Sequence, residues 1–579
     1  MFLKVTSAKQ YEYIKLVESY WDEGRSKQRV LYNFGRADLI KKDESFLRVV
    51  KRLCELAELP LYGESESNND VLGDCSEGTL LNYGYLAYLH LWKELGIEYC
   101  LNDAQGGSKI TFPLSDTVFL MVLQHLLEPM SKFATHENQD KYFNMEEIPL
   151  HQMYRALDHL TESKEEIEMG LFEYNYVRNN KTVDVVFYDC TTIHFESVYA
   201  DELRDFGFSK VGKYNEVQVI LGMIIDIHGI PVGYELFKGN MSEGKTLLKT
   251  LEKIKNRFRI KRVIIVADRG LNQKSNLKDI KDAGYGYIMA AKIKGASAAL
   301  QKKVFAEDGF KDVLDKNGNL QLRYKTMEHK NIFTDENNIK HTLEENMIVS
   351  YSPKRAKKDE QDRERMIEKA RNLLEKPCLI NSTNKRGGRK YIDKTSKDKE
   401  PETYELASSK IEKDAGFDGY YAIQTSEKSM SAKEIMDAYH TLWKIEESFR
   451  IMKSTLEIRP VYHSNKERIQ GHFVVCFLAF LMERKMELLL KNEFPNEEFD
   501  ESIEESSPQK IQKALNTMLL TAVTTGLGER FVKVKSHPLG AKIFKKLKIS
   551  MPENISTKDM LVDRFKLNAE RLPIQLSLF

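Results

Sequence analysis

Two short apolar segments, each ending in an aspartate, restrict the possible folds of this chain more than any other feature. They are VDVVFYD, which ends at Asp189, and VIIVAD, which ends at Asp268. Short apolar runs of this kind are typical of strands buried within a sheet. Polar or glycine-containing residues follow both aspartates, so we predict that each one closes a strand. A single aspartate there is most often a turn or capping residue, and the pair is more informative.

The elements around these segments predict an α/β fold. In chain order they are strands at 183–189, 217–226 and 230–237, a helix from 242, a strand at 263–268, a helix at 272–283 and a strand at 286–291. The turn His228-Gly229 makes the second and third strands an antiparallel hairpin. Three antiparallel strands that lead into parallel ones follow the order of a ribonuclease-H-like domain. We therefore expect a ribonuclease-H-like catalytic core.

Changes of pattern along the chain predict its division into regions. Apolar and polar residues alternate around Asp22-Glu23-Gly24, which indicates a hairpin, and helical spacing begins at Ser76. The expected regions are an N-terminal β-hairpin and linker at 1–75, a helical region at 76–175, the first part of the core at 176–295, a β-rich insertion at 296–430, the final core helices at 431–500 and a helical C-terminal region at 501–579.

Composition excludes several classes of protein. With 41% hydrophobic and 30% charged residues, the 579-residue chain is a folded protein. Its net charge of +1 does not by itself indicate a nucleic-acid partner. Six cysteines without a CxxC pair argue against a zinc site or a disulfide framework, so buried thiols are expected.

No segment of the sequence predicts a membrane partner. The apolar run 474–482 is shorter than the ~20 residues that span a bilayer, so it indicates a buried helix. The N-terminal residues lack the apolar region of a secretion signal, and a cytoplasmic location is expected.

A third carboxylate lies on a helical segment that begins at Ser431, where Glu434 completes a capping box. The residues that share one face of this predicted helix are Tyr439, Leu442, Glu446, Arg450 and Lys453. An ordinary ion pair of Glu446 with Arg450 also fits this spacing. Glu447 is the alternative carboxylate, and it lies about 100° around the helix.

Three carboxylates from two strand ends and a helix suit divalent metal ions. Mg²⁺ prefers hard oxygen ligands and keeps positions for water and phosphate. Two such ions activate an attacking oxygen and stabilise a leaving oxygen in phosphoryl transfer. The predicted catalytic and metal site is therefore Asp189, Asp268 and Glu446 with two Mg²⁺ or Mn²⁺ ions, and no covalent protein nucleophile is needed.

The sequence resembles the DDE transposases of bacterial insertion sequences, in the group with the signature Tyr-x2-Arg-x3-Glu-x6-Lys. The matching segments are FYDCTT around Asp189, IVADRGLNQKSNL around Asp268, and YHTLWKIEESFRIMKSTLEIRPVYH around Glu446. The last segment has Tyr439 and Lys453 in register with the signature. Relatives also carry a β-rich insertion between the second aspartate and the glutamate.

The resemblance implies roles for residues beyond the carboxylates. Tyr439 and Lys453 would hold phosphates at the ends of the element, since Lys is a point-charge phosphate ligand. This sequence departs from the signature at Leu442, where relatives have Arg. Arg450, one turn beyond Glu446, is the candidate substitute as a DNA-binding residue.

The function implied is that of a DNA transposase that cleaves the ends of its element and joins the freed 3′-OH to target DNA. Its partners would be double-stranded DNA, as terminal inverted repeats and target, and a second copy of the chain in the synaptic complex. Residues 76–175 would bind DNA, although no recognition helix stands out. Two alternatives remain open: a ribonuclease-H-like nuclease that only cuts, and a non-catalytic DNA-binding descendant of a transposase.

Overall fold

A computed structural model gives the fold. The residues that the structure describes are 1–8, 11–22, 25–40, 42–56, 80–179, 183, 185–207, 215–258, 263–267, 271–335, 338–376, 380, 387–395, 403–491, 507–525 and 528–570. The chain forms two compact units. One comprises Met1–Cys75 with Val523–Glu529, and the other Ser76–Ala522 with Arg530–Phe579.

The smaller unit contains an antiparallel sheet and two helices. Its elements are β1 (Phe2–Ala8), β2 (Tyr11–Asp22), β3 (Arg25–Arg36), α1 (Ala37–Ile40) and α2 (Glu44–Leu56). The pairing of β2 with β3 confirms the predicted hairpin. Asp43 caps α2, since its carboxylate accepts hydrogen bonds from the amides of Ser45 and Phe46 at 2.8 and 3.3 Å.

Residues 76–175 are mainly helical where the structure describes them, as predicted. The elements are β4 (Leu80–Asn82), α3 (Leu86–Glu94), α4 (Ile97–Gln105), α5 (Leu114–Leu127), α6 (Lys132–Glu137), α7 (Leu150–Glu162) and α8 (Lys164–Asn175). Helix α5 is apolar nearly all round and is buried along its length, as expected for a helix inside a core.

The elements predicted between 183 and 291 are present. They are β5 (Val185–His194), β6 (Gln218–Ile225), β7 (Pro231–Lys238), α9 (Glu243–Phe258), β8 (Ile264–Ala267), α10 (Lys274–Asp282) and β9 (Gly286–Ala290). Strands β5, β6 and β7 pair antiparallel, while β5 with β8 and β8 with β9 pair parallel. The protein is therefore a mixed α/β structure with the predicted strand order.

Residues 296–430 extend this same sheet and also contain helices. The predicted β-rich insertion is therefore a mixture of strands and helices. Their elements are α11 (Ala298–Phe305), β10 (Lys311–Leu314), β11 (Leu320–Thr334), β12 (Lys340–Tyr351), α12 (Pro353–Leu374), β13 (Ile392–Lys394), β14 (Tyr404–Leu406), α13 (Ser408–Ala415) and β15 (Tyr420–Thr425). Since β15 pairs with β9, the described sheet has the order β10-β11-β12-β15-β9-β8-β5-β6-β7.

The two faces of the sheet pack against different cores because side chains alternate along each strand. On β5, Phe187 and Ile193 belong to the larger core, which includes residues of α5, α7 and the helices after position 431. Val186 and Tyr188 belong to the second core, with residues of α9 and α10. Odd-numbered positions of β5 therefore point toward the larger core.

Described residues 431–491 form three helices: α14 (Ala432–His440), α15 (Trp443–Ser454) and α16 (Lys466–Lys491). Ser431 and Glu434 form the predicted capping box. The predicted buried segment 474–482 lies in α16 and is buried throughout, and α16 packs against α5 and α7. Among the described residues, no helix is both long and apolar enough to cross a membrane.

The carboxyl group of Glu483 on α16 makes the stability of the folded chain depend on pH. Burial raises the pKa of this carboxyl from 4.5 to about 8, and the Tyr88 hydroxyl donates to it at 2.6 Å. Between these pH values the folded chain keeps a proton that the unfolded chain has released, so stability falls as pH rises. We expect Glu483→Gln to raise Tm more at pH 8 than at pH 5, measured by calorimetry. An equal change at both pH values would contradict this.

The C-terminal region, expected to be helical, is mixed. It contains α17 (Pro508–Asn516), β16 (Leu519–Thr525), β17 (Gly528–Lys533), α18 (Pro538–Lys546), β18 (Ile555–Ser556) and α19 (Lys558–Glu570). For β16 the prediction failed because one of its partners, β4, lies more than four hundred residues earlier in the chain, whereas β17 and β18 pair with each other. Leu519 pairs with Asn82, and Leu520 with Leu81, so local sequence does not reveal the pairing.

Candidate active site

Asp189 lies within β5 and does not close it, contrary to the prediction. Parallel pairing of β5 with β8 ends at Phe187 opposite Val266, whereas antiparallel pairing with β6 continues to His194. Beyond Phe187, therefore, the described part of β5 pairs with β6 and no longer with β8. Asp189 is half-buried, and one carboxylate oxygen accepts a hydrogen bond from the amide of Cys190 at 2.8 Å.

Asp268 lies outside the described residues. The described strand β8 ends one residue earlier, at Ala267, and the description resumes at Leu271, which is buried. The amide group of Asn272 donates to the Ala290 carbonyl at 2.6 Å and to Gln424 Oε1 at 3.1 Å. These bonds fix Asn272 to β9 and β15.

The predicted continuous helix is interrupted, so Tyr439 does not share a helix with Glu446. Helix α14 ends at His440 and α15 begins at Trp443. Between them the backbone changes to hydrogen bonds between residues three apart, such as Leu442 N–H to Tyr439 O at 3.1 Å, which tighten the turn. Tyr439 is half-buried and its ring lies 5.6 Å from that of Tyr421.

Helix α15 does keep Glu446, Arg450 and Lys453 on one face, by i, i+4 and i+7 spacing. The Arg450 side chain is 73% exposed and lies 3.5 Å from Glu447. Lys453 is half-buried and donates to the hydroxyl of Thr191 on β5. Because Thr191 lies two residues after Asp189, both point to the same side of the strand. The end of α15 therefore meets the sheet face that carries Asp189.

The two adjacent glutamates of α15 have different surroundings. Glu447 accepts a hydrogen bond from the buried Arg484 at 3.2 Å, so an ion pair already satisfies its carboxylate. Glu446 is exposed, and no described residue forms a hydrogen bond or ion pair with its carboxylate. A carboxylate without a protein partner is the one available as a metal ligand, which favours Glu446 over Glu447.

Sequence reasoning missed Thr191, Arg484 and Lys444, whose side chains hold α15 in place. Lys444 donates to the backbone carbonyl of Ile227 at 2.8 Å. These contacts join residues far apart in the chain, and the one available signal was the polar pair Thr191-Thr192 after Asp189.

A buried cluster of His125, His472 and Cys476 lies outside this site. One ligand atom from each lies within 4.8 Å of the others. However, the Lys132 ammonium lies 3.3 Å from His125 Nε2, and burial raises the pKa of the Cys476 thiol to about 12. These groups are therefore arranged as a neutral polar cluster beside a lysine, which does not favour a metal ion. The predicted burial of thiols is confirmed for Cys100, Cys190 and Cys476.

A model of the transposase DDE domain matches residues 184–482, and a model of the N-terminal domain of IS1634 family transposases matches residues 3–59. No curated protein matches the chain.

Two solved structures show limited similarity. One is a piggyBac transposase synaptic complex with hairpin DNA, with 8% identity, a TM-score of 0.34 and 85% of each chain covered. The other is a Mos1 transposase paired-end complex with the left transposon end, with 11% identity and a TM-score of 0.13 over 42% of this chain and 66% of that chain. Because the DDE-domain model covers more than half of the 579 residues, the chain belongs to the DDE transposases of insertion sequences and is a DNA transposase.

Proposed function

We propose that this transposase cleaves the ends of its element and joins them to target DNA at one metal-dependent site formed by Asp189, Asp268 and Glu446. The family cuts DNA with divalent metal ions. The observation that carries the assignment is the contact between Lys453 and Thr191. It connects the helix of Glu446 directly to the strand of Asp189.

Strand register supports Asp268 as the second ligand. Phe187 lies opposite Val266 in the parallel pair β5–β8. Val266 and Phe187 both face the larger core, and alternation assigns Asp189, two residues after Phe187, to that same side. Asp268 follows Val266 by the same two positions in the sequence.

The donor set fits Mg²⁺ or Mn²⁺, because all three side chains offer carboxylate oxygens. Bound there, two such ions would activate the attacking oxygen and stabilise the leaving 3′ oxygen. The protein's own part is positional. Strand β5 holds Asp189, and α15 holds Glu446 where no cation among the described residues neutralises its carboxylate.

The catalytic core is assigned as ribonuclease-H-like on the basis of its strand order. In the order β7-β6-β5-β8-β9, three antiparallel strands continue into two parallel ones. Helices cover both faces. Strands β10, β11, β12 and β15, with α12, represent the insertion that lengthens this core.

DNA is held by residues around the carboxylates. Lys453 and Arg450 lie on the Glu446 face of α15, and Tyr439 lies on the preceding helix. The basic tract at 352–358 forms the start of α12, and its lysines and arginine would contact backbone phosphates. A second basic tract, NKRGGRKY at 384–391, also carries lysines and arginines, and its residues 384–386 lie outside the described residues. Since two ends must be joined, the active complex contains two copies of the chain.

The decisive experiment supplies pre-cut element ends with target DNA and Mg²⁺, comparing ends that carry a 3′-OH with ends that carry a 3′-deoxy terminus. We expect joined products with the 3′-OH ends alone, because that hydroxyl is the attacking group. Uncut ends are tested in parallel, and their cleavage without any joined product in either reaction would favour the nuclease alternative. End binding with neither reaction would favour the non-catalytic alternative.

Lys453→Met is expected to weaken binding of end DNA and to reduce the slope of log K against log[salt] by about 1, because one phosphate contact is lost. Lys466→Met is the matched control, since Lys466 pairs with Glu202 at 2.6 Å on an exposed surface. Titrations at several salt concentrations measure both. An unchanged slope for Lys453→Met would show that Lys453 does not bind a phosphate and acts through contacts within the protein, such as that with Thr191.

A further inference from the structure

Glu446 is flanked by two side chains that are tied to the same turn of the sheet. Lys444, two residues before it, donates to the Ile227 carbonyl at 2.8 Å. Glu447, the next residue, is paired with Arg484 Nη1 at 3.2 Å. Nε of that arginine donates to the Gly229 carbonyl at 3.3 Å. Both connections reach the turn between β6 and β7.

This turn is itself well defined. Asp226 accepts hydrogen bonds from the amides of His228 and Ile230 at 2.9 and 2.8 Å, and from the Tyr176 hydroxyl at 3.0 Å. Gly229 has φ 83°, and a Cβ there would lie 2.6 Å from Arg484 Nη2. The turn therefore requires glycine for its conformation and for the close approach of the arginine.

The same turn is connected to the first carboxylate. Strand β6, which leads into it, pairs with β5, and Met223 lies opposite Asp189. Asp189 is thus connected to the residues on either side of Glu446 by a series of contacts, which we call the Arg484 route. Backbone pairing joins β5 to β6, and the hydrogen bonds of Lys444 and Arg484 join the turn after β6 to α15.

Arg484 is the central residue of this route, and burial of its charged side chain costs free energy of desolvation. Its side chain is 2% exposed and pairs with both Glu447 and Glu487, the latter at 2.6 Å. Removing a buried partner leaves opposite charges uncompensated, which is strongly unfavourable. The arginine therefore fixes the Glu447 side of α15 relative to the turn.

We propose that Arg484 is a positioning residue for Glu446, which sets the rotation of α15 so that the Glu446 carboxylate faces the side of the sheet that carries Asp189. Glu446 lies about 100° around the helix from Glu447, so anchoring one fixes the direction of the other. This inference rests on the proposed function. In the proposed function, Arg484 itself contacts neither DNA nor a metal ion.

The test is the Mg²⁺ concentration that gives half-maximal cleavage of end DNA. For Arg484→Met we expect this concentration to rise about tenfold or more, the usual effect of losing a residue that orients a metal ligand. Binding of end DNA without metal should stay unchanged. Lys444→Met removes the other connection without leaving a buried carboxylate unpaired, and it should shift the same concentration in the same direction.

Arg257→Met is the matched control for lost stability. Arg257 is also buried, with a 4% exposed side chain, and it pairs with Glu235 at 2.9 Å, yet it makes no contact with α15 among the described residues. It should lower Tm without changing the Mg²⁺ dependence. If neither Arg484→Met nor Lys444→Met shifts the Mg²⁺ dependence beyond that of Arg257→Met, the positioning role is wrong although cleavage stands. Wild type without metal-dependent cleavage would overturn the proposed function and the positioning role together.

Discussion

Asp189→Asn is expected to reduce both end cleavage and strand transfer by about a thousandfold, because a metal-bound oxygen contributes several kcal/mol to the transition state, and about 4 kcal/mol corresponds to that factor. Asparagine keeps the shape of the side chain and can still accept the hydrogen bond from the Cys190 amide. The fold and DNA binding should therefore persist. Single-turnover rates on labelled end DNA, with binding measured in parallel, check this result.

Asp158→Asn provides the control for Asp189→Asn. Asp158 is a half-buried acid that pairs with Arg468 at 3.3 Å near the surface, where an ion pair contributes little. Its replacement should change neither rate. If Asp189→Asn cleaves end DNA at the wild-type rate, Asp189 is not a metal ligand and the site must be assigned elsewhere.

Glu446→Gln is expected to have an effect of similar size, with loss of both reactions by about a thousandfold. The amide oxygen is a weaker metal ligand than a carboxylate, and no described protein group compensates for the lost charge. Glu447→Gln should reduce the rate far less, because its amide oxygen can still accept the hydrogen bond from Arg484. The pair of variants differs by one position and carries the same chemical change.

Rates at saturating Mg²⁺ distinguish the two glutamates. Greater loss in Glu447→Gln than in Glu446→Gln would reverse the assignment of the third ligand. Equal loss in both would show that the variants act through the stability of α15, which the Tm of each protein would reveal.

The order of the core strands was predictable because each contains a short apolar run, although the polar residues after Asp189 did not mark the end of β5. VIIVAD and the hairpin around His228-Gly229 carry this information locally. The capping box at Ser431 and Glu434 was predictable for the same reason, since both partners lie within four residues. Three residues of the site, Asp189, Asp268 and Glu446, followed from strand and helix patterns together with the family resemblance, and their roles remain predictions.

Features that depend on distant partners were not predictable. Strand β5 continues past Asp189 because β6 pairs with it as far as His194. Strand β15 joins β9 across more than one hundred residues of sequence. The sequence pattern also did not predict the break between α14 and α15. The helical spacing of apolar residues continues through Thr441 and Leu442, although the backbone hydrogen bonds change there.

The difference between Glu446 and Glu447 likewise needed the structure. In sequence, both are adjacent acids on one helix. Arg484, which satisfies Glu447, lies 37 residues away on α16. Helical geometry alone gave Glu446 the face it shares with Lys453, and the ion pair of its neighbour supports the same choice independently.

The most direct test of the central claim is cleavage of the protein backbone by Fe²⁺ bound in place of Mg²⁺, with ascorbate and peroxide, since such cleavage occurs near the bound ion. The account predicts fragments that end near positions 189, 268 and 446, that are suppressed by excess Mg²⁺ and that are all weakened by Asp189→Asn. Fragments from elsewhere in the chain, or cleavage near only one of the three positions, would contradict a single metal site built from these carboxylates.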